Sequence, residues 1–222
     1  MSQDVILVVD LDHSLIRTDL LYETFFAATG SNVGALFSGL LALGRGRTAL
    51  KAHLADRAVP DVTLLPYNDA VLAHIRAWRE RGGRVALVSA SDHRLVEAVS
   101  THLGLFDEVY GSGDGVNLKG AAKAAFLCEH YGDGKFDYIG DSRADLAVWK
   151  HARRAITVGA GAALRARVEQ LDGDALHLDP PQGAKTGVYL RALRPHQWSK
   201  NLLLALPLID DLGLDQIELA VA

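Results

Sequence analysis

The stretch that decides the fold is residues 5–12, which read VILVVDLD. Its first five residues are all apolar and mostly β-branched. Such a run is typical of a strand that is buried on both faces, as in a parallel sheet covered by helices. Asp10 and Asp12 follow directly, so we expect both at the carboxyl end of this strand, where an open α/β sheet has its binding crevice.

The same pattern recurs along the chain, and helical patterns separate the apolar runs. The predicted strands are Val5–Val9, Val85–Val88, Phe136–Ile139 and Ala155–Val158. The predicted helices between and after them are Asn68–Arg81, Arg94–Leu103, Gly120–His130 and Ala144–Arg153. Strands that alternate with helices favour a parallel α/β sheet with right-handed crossovers.

Residues 19–66 interrupt this alternation. They read as helices at Leu20–Thr29, Val33–Leu43 and Thr48–Arg57. Because they lie between the first strand and the next helix, we expect a small helical cap inserted after the first strand. The second of these helices is apolar but shorter than the ~20 residues of a membrane span. We expect it to be buried in the cap, and contact with a lipid-like substrate is the alternative.

The composition excludes several classes of protein. The chain has 222 residues, with 23 Lys and Arg against 27 Asp and Glu, and a formal net charge of −4. This balance argues against binding through bulk positive charge, so we expect no nucleic-acid partner. The single cysteine, Cys128, excludes a disulfide framework and a cysteine-based zinc site. Its apolar neighbours in a predicted helix place it in the core.

The start of the chain has no basic segment before its apolar run, which argues against a secretory signal. No uninterrupted apolar run reaches the ~18–20 residues that a membrane span requires. We therefore expect this chain to be a cytoplasmic domain.

Two carboxylates two residues apart follow the first strand. On a loop just past the strand, Asp10 and Asp12 can both turn toward one site. The first is then placed to act as a nucleophile or metal ligand, and the second to exchange a proton. A pair of strand-end aspartates that cap a helix is the alternative interpretation.

Later positions add groups that suit a phosphate and a metal ion. Ser89 ends the second strand, where its hydroxyl and the backbone N–H of Ala90 can hold a phosphate oxygen. Lys119 stands where a helix begins and can neutralise a phosphoryl group or the nucleophilic carboxylate. Asp141 and Asp145 follow the third strand and supply oxygen ligands of the kind that Mg²⁺ prefers.

Four segments in this order resemble the motifs of the haloacid dehalogenase superfamily, most of whose members are phosphatases. They are VVDLDHSLIRTD at 8–19, ALVSAS at 86–91, NLKG at 117–120 and YIGDSRAD at 138–145. The resemblance extends over residues 5–158. It implies an α/β fold with a Rossmann-like three-layer core in residues 1–178, with the helical cap at about 19–66.

The resemblance also implies a role for each matching residue. Asp10 is the nucleophile that forms an aspartyl-phosphate, and Asp12 is the general acid/base. Ser89 and Ala90 bind the phosphoryl group, and Lys119 stabilises its charge. The cofactor is Mg²⁺, and the implied metal ligands are Asp10, Asp12 through its backbone carbonyl, Asp141 and Asp145.

Some positions depart from the family pattern or leave a choice open. His13 and Ser14 stand where the family usually has a small residue and Thr. We expect His13 and Arg17 to face the substrate or the cap, although an exposed loop histidine is the simpler interpretation of His13. Lys119 fits the NLKG segment best, and Lys123, one helical turn further on, is the alternative lysine.

The end of the chain resembles a second family. Residues 193–201, LRPHQWSKN, are similar to the entry segment of UbiA-type intramembrane prenyltransferases, notably the branch that transfers phosphoribose to polyprenyl phosphate. A basic stretch with an interfacial Trp before an apolar segment is typical of a chain that approaches an anionic membrane. We expect residues 179–222 to be a linker and the start of a membrane domain, within a parent protein of the inner or plasma membrane. An amphipathic helix that docks on the core is the alternative.

These patterns predict a Mg²⁺-dependent phosphomonoesterase that works through an aspartyl-phosphate. The expected substrate is a phosphorylated small molecule or a lipid-linked sugar phosphate. The resemblance of residues 193–201 favours a phosphoribosyl lipid among these. Two alternatives stay open. The chain is a non-catalytic docking module of a membrane enzyme, or it transfers the phosphoryl group to an acceptor other than water.

Overall fold

A computed structural model of the chain describes residues 5–20, 23–24, 60–113 and 117–179. The strands in these ranges are β1 Ile6–Val9, β2 Val85–Asp92, β3 Glu108–Ser112, β4 Phe136–Gly140, β5 Arg154–Val158 and β6 Leu176–Leu178. The α-helices are α1 Asp69–Glu80, α2 His93–Leu103, α3 Ala121–Tyr131, α4 Leu146–Trp149 and α5 Ala162–Glu169. Short 3₁₀ turns lie at Val62–Leu64 and Arg143–Asp145.

The six strands form one parallel sheet in the order β3-β2-β1-β4-β5-β6. One apolar cluster joins one face of the sheet to α1 and α2. A second cluster joins the opposite face to α3, α4 and α5. The predicted parallel α/β fold with three layers is therefore confirmed.

The central strand β1 explains why the first apolar run dominates the sequence pattern. All four of its residues are buried, and it pairs with β2 on one side and β4 on the other. Its end is held in register by the backbone N–H of Asp10, which donates to the carbonyl of Ile139 at 3.0 Å. Asp10 thus lies at the carboxyl edge between two strands that carry further polar residues.

The chain leaves the sheet after β1 and returns beside the same point. Ile16 pairs with Tyr67 in an isolated antiparallel bridge. The N–H of Arg17 donates to the carbonyl of Pro66 at 2.9 Å, and the N–H of Asn68 donates to the carbonyl of Leu15 at 2.9 Å. The two ends of the interval between the first strand and α1 therefore lie side by side, next to the Asp10 edge.

Three elements were not predicted, and one predicted helix is too long. The strands β3 and β6 were missed because their sequences, EVYGS and LHL, are short and mix apolar with polar residues. The helix α5 was missed because Val168 is its only buried residue, so its sequence has no clear apolar stripe. In β3 every residue is only partly buried. The helix predicted at Ala144–Arg153 is confined to a 3₁₀ turn and the four residues of α4.

Two predictions fall on residues that the structure does not describe. They are the cap helices, apart from residues 20 and 23–24, and the linker and prenyltransferase-like segment at 180–222. Within the described ranges, no helix combines the length and apolar character needed to cross a membrane.

Candidate active site

The chain turns back immediately after Asp10. The N–H of Leu15 donates to the carbonyl of Asp10 at 3.2 Å, and the N–H of Ile16 donates to the carbonyl of Leu11 at 3.0 Å. The turn requires a left-handed backbone at His13, with φ of 57°, the one such non-glycine residue in the described ranges. The side chain of His13 is exposed, and that of Ser14 is fully buried. This turn keeps both motif aspartates at the edge of the sheet.

A buried lysine contacts Asp10. The Nζ atom of Lys123 lies 2.5 Å from Oδ1 of Asp10, and only 4% of the Lys123 side chain is exposed. Lys119, the residue predicted for this position, is exposed. The prediction of Lys119 is therefore wrong for this contact, and Lys123 replaces it.

The local helix geometry explains the replacement. The helix α3 begins at Ala121, after Gly120 with φ of 56°, so Lys119 precedes the helix. Lys123 and Leu127 are four residues apart and share the helix face that packs on the sheet. That spacing was visible in the sequence and would have favoured Lys123 over the better motif match.

Tyr138 links this lysine to a further carboxylate. The Nζ atom of Lys123 donates to the Tyr138 hydroxyl at 3.1 Å, and that hydroxyl donates to Oδ1 of Asp145 at 2.8 Å. Burial, together with the nearby carboxylates, raises the pKa of Tyr138 well above its usual value, so it remains a neutral donor. Tyr138 was not predicted, because the sequence of a buried strand gives no sign that one hydroxyl faces the site.

The turn after β4 holds Asp145 from its other side. Its Oδ2 accepts hydrogen bonds from the Ser142 N–H at 3.0 Å, the Ser142 hydroxyl at 2.9 Å and the Asp141 N–H at 3.3 Å. The turn also needs a glycine, because a Cβ at Gly140 would lie 2.8 Å from Cγ of Asp145. Asp145 is therefore fixed in orientation by the chain that also carries Asp141.

Three of the four predicted metal ligands converge. One carboxylate oxygen from each of Asp10, Asp141 and Asp145 lies within 4.8 Å of the other two. Burial raises the pKa of Asp10 to about 7 despite the opposing charge of Lys123, and burial and neighbouring carboxylates raise the pKa of Asp141 to about 7. Burial is the largest cause of both pKa shifts, and the neighbouring carboxylates add to it. An all-oxygen set with excess negative charge fits a hard divalent cation such as Mg²⁺.

Asp12 lies at the same edge, but its carboxylate has other partners. Its Oδ1 accepts from the backbone N–H of Leu20 at 2.8 Å, and its Oδ2 accepts from the Ser91 hydroxyl at 2.8 Å. Both carboxylate oxygens of Asp12 therefore accept hydrogen bonds, and the three converging carboxylates do not include this one. Its backbone carbonyl as a metal ligand stays a prediction. Ser91 was not predicted, although it lies two residues beyond Ser89 in the same motif.

The end of β2 completes this edge. Ser89 is fully buried, and its Oγ accepts from the backbone N–H of Ser91 at 3.1 Å. The pairing of β2 with β3 shifts register between Val88 and Asp92, which includes the Ala90 position. Arg17, which was predicted to face the substrate, forms an ion pair with Asp69 at 3.2 Å. Substrate contacts by Ala90, His13 and Arg17 stay predictions.

The family model for haloacid dehalogenase-like hydrolases matches residues 7–150, which include most of β1, the Asp10 turn, Ser89, Lys123 and both later aspartates. The chain belongs to this family. The UbiA-like segment is not part of the matched range, and the prenyltransferase resemblance stays a prediction.

Known proteins similar to this haloacid dehalogenase-like hydrolase include both sequence and structural relatives. The protein y4nM of Sinorhizobium fredii is 36% identical over 202 residues, which are 91% of this chain and 39% of the relative. A solved Bordetella pertussis protein of unknown function has a TM-score of 0.60 and 19% identity, over 79% of this chain and 98% of that one. A phosphoserine phosphatase solved as a phospho-aspartyl intermediate analogue has a TM-score of 0.51 and 17% identity, over 75% and 91% of the respective chains.

These similarities differ in what they cover. The hydrolase chain spans about two-fifths of the length of y4nM. At 17–19% identity, the two solved structures establish the shared fold alone.

The converging carboxylates predict that Mg²⁺ stabilises the folded chain. We expect the melting temperature to rise with Mg²⁺ concentration, because a ligand that binds only the folded state adds to its stability. The substitution Asp141→Asn should remove most of this shift. The matched control Asp174→Asn, on an exposed turn, should retain it. An equal shift in all three proteins, measured by scanning fluorimetry, would contradict the site.

Proposed function

We propose that the chain is a phosphomonoester hydrolase that works through an aspartyl-phosphate on Asp10. The observation that carries this proposal is the buried contact between Asp10 and Lys123 within a group of carboxylates. A nucleophilic carboxylate that approaches a phosphate monoester meets strong charge repulsion. A fixed cation at 2.5 Å from the attacking group offsets part of it and costs no reorganisation during the reaction.

In the first step an oxygen of Asp10 attacks phosphorus, and the bond from phosphorus to the ester oxygen breaks. The departing alkoxide takes a proton from Asp12 and leaves as an alcohol. In the second step Asp12 accepts a proton from water, and the resulting hydroxide oxygen attacks phosphorus. The acyl-phosphate bond breaks, inorganic phosphate departs and Asp10 is a carboxylate again, so that one ester and one water give one alcohol and one phosphate.

The surrounding residues support these two steps. Leu20 and Ser91 donate to the carboxylate of Asp12, whereas Lys123 contacts that of Asp10, and these different surroundings support different roles for the two carboxylates. In this proposal the hydroxyl of Ser89, a buried residue of the neighbouring strand β2, donates to a phosphoryl oxygen. The Tyr138 hydroxyl accepts one hydrogen bond from the ammonium of Lys123 and so helps to orient it toward Asp10.

Asp10, Asp141 and Asp145 would hold Mg²⁺ at this site. When bound, the ion supplies positive charge that screens the phosphoryl oxygens and the carboxylates from one another. The donor set fits a hard cation of this kind, since each proposed side-chain ligand atom is a carboxylate oxygen.

The nucleophile is tested with Asp10→Asn. We expect phosphate release to fall by about 10³-fold or more, because the amide cannot form the intermediate. Acid quenching of the wild-type reaction with radiolabelled phosphoester should leave a protein-bound, hydroxylamine-sensitive phosphate that the variant lacks. The substitution Asp174→Asn serves as the control. Equal turnover by the variant would exclude Asp10 as nucleophile, and absence of turnover from the wild type would favour a docking module.

The two lysines form a second test. The substitution Lys123→Met should lower kcat by about 10²-fold or more, because the fixed positive charge beside Asp10 is lost. The matched substitution Lys119→Met should leave kcat within about twofold, since Lys119 is exposed. A larger loss of kcat in Lys119→Met than in Lys123→Met would identify Lys119 as the functional lysine. Circular dichroism of both variants checks that the fold is retained.

We propose further that the substrate is a sugar phosphate carried on a polyprenyl phosphate. The support is the resemblance of residues 193–201 to phosphoribosyl-transferring membrane enzymes. A phosphate-release assay with a phosphoribosyl lipid, ribose 5-phosphate and phosphoserine should show the highest kcat/KM for the lipid. Turnover confined to the two soluble esters would contradict this substrate class. Transfer to an added alcohol in place of water would identify a phosphotransferase.

A further inference from the structure

A second group of metal-binding side chains lies outside the active site. Cys128 is on α3, Asp133 is in the turn that follows this helix, and His151 lies just after α4. One potential ligand atom from each lies within 4.8 Å of the other two. The Nδ1 atom of His151 is 2.8 Å from Oδ1 of Asp133. We infer that Cys128, Asp133 and His151 form a binding site for a borderline divalent cation such as Zn²⁺.

Backbone hydrogen bonds tie together the segments that carry the three side chains. The N–H of Gly132 donates to the carbonyl of Cys128 at 2.9 Å, and the N–H of Gly134 donates to the carbonyl of His151 at 2.8 Å. These two glycines flank Asp133 and both have positive φ, 95° and 67°. The turn that presents Asp133 is therefore tied by hydrogen bonds to the segments that carry the other two ligands. Binding requires side-chain adjustment within this frame, with little movement of the backbone.

The chemistry of the donors separates this site from the one at Asp10. A thiolate, an imidazole and a carboxylate together suit Zn²⁺ or Co²⁺, whereas Mg²⁺ prefers oxygen ligands only. Burial and the nearby Asp133 carboxylate raise the pKa of the Cys128 thiol. A bound cation would favour the thiolate over the thiol, since the thiol proton would leave to solvent and a metal–sulfur bond would replace the S–H bond. A fourth position remains for water.

The site lies at the opposite edge of the sheet from Asp10. Asp133 precedes β4, and Asp141 follows it, so the two sites are separated by five strand residues, or about 16 Å. The cation would join the far end of α3, which carries Lys123, to the end of the segment that carries Asp145. It would therefore stabilise the two segments that bring these residues to Asp10.

The single cysteine argued against a cysteine-based zinc site at the level of the sequence. The fold instead supplies the ligands from three separate segments. The same single cysteine makes the site measurable, because any thiolate–metal absorption band must come from Cys128.

Titration of the reduced full chain with Co²⁺ tests the inference. We expect a near-ultraviolet thiolate-to-cobalt absorption band that saturates at one ion per chain and disappears when Zn²⁺ is added. The band should be absent in Cys128→Ser, and His151→Ala should weaken Co²⁺ binding by about 10-fold or more. The matched control is His130→Ala, which removes an exposed histidine of α3, the helix that carries Cys128. This substitution should leave the affinity for Co²⁺ unchanged. Asp141→Asn should also leave the band intact.

Thermal unfolding gives a second readout that is independent of activity. Zn²⁺ at a hundredfold excess over its Kd should raise the melting temperature by about 5–10 °C in the wild type and much less in His151→Ala. Absence of the band in fully reduced wild type overturns the site. A band of unchanged affinity in both His151→Ala and Asp133→Asn also overturns it, because it would show a complex with the cysteine alone.

Discussion

The contact between Lys123 and Asp10 constrains the rest of this site. Both side chains are nearly buried, and two more carboxylates lie close to the same point. A lysine taken out of water needs a charged or polar partner, and Asp10 and the Tyr138 hydroxyl provide one on each side. The surplus negative charge that remains is the physical reason that a cation belongs in this crevice. The folded chain holds this unfavourable arrangement because the sheet and its two helical layers fix the backbone around it.

The parallel sheet is what makes such an arrangement possible. In a parallel sheet all strands end at the same edge, so residues far apart in sequence meet there. Asp10 follows β1, Ser89 lies near the end of β2, and Asp141 follows β4, and these three strands are adjacent. Because β2 lies next to β1, Ser91 of β2 also reaches Asp12. The carboxylate of Asp12 accepts hydrogen bonds from the Ser91 hydroxyl and from the backbone N–H of Leu20. Two carboxylates two residues apart thereby acquire different surroundings and different chemistry.

Much of this edge was predictable, and the omissions have physical causes. Largely apolar runs marked β1, β2, β4 and β5, because strands buried on both faces tolerate few polar residues. One exception is Asp137 in β4, whose buried carboxylate forms an ion pair with Arg153. The edge strand β3 is half-buried and carries no such run, so the sequence pattern did not reveal it. The lysine was misassigned because a short motif was weighted above helix periodicity. Tyr138 and Ser91 were missed because one hydroxyl in an apolar or small-residue strand shows nothing of the direction in which it points.

The sequence by itself determined the layers, the parallel sheet and the positions of the motif aspartates, because burial and strand-end position leave a pattern that local chemistry can read. Family membership followed from the same segments. Only the tertiary structure decided which lysine contacts Asp10, since one helical turn separates two candidates that differ in the face they present. Only the tertiary structure brought Cys128, Asp133 and His151 together as well. Contacts of this kind depend on how separate segments pack, and no spacing along the chain encodes them.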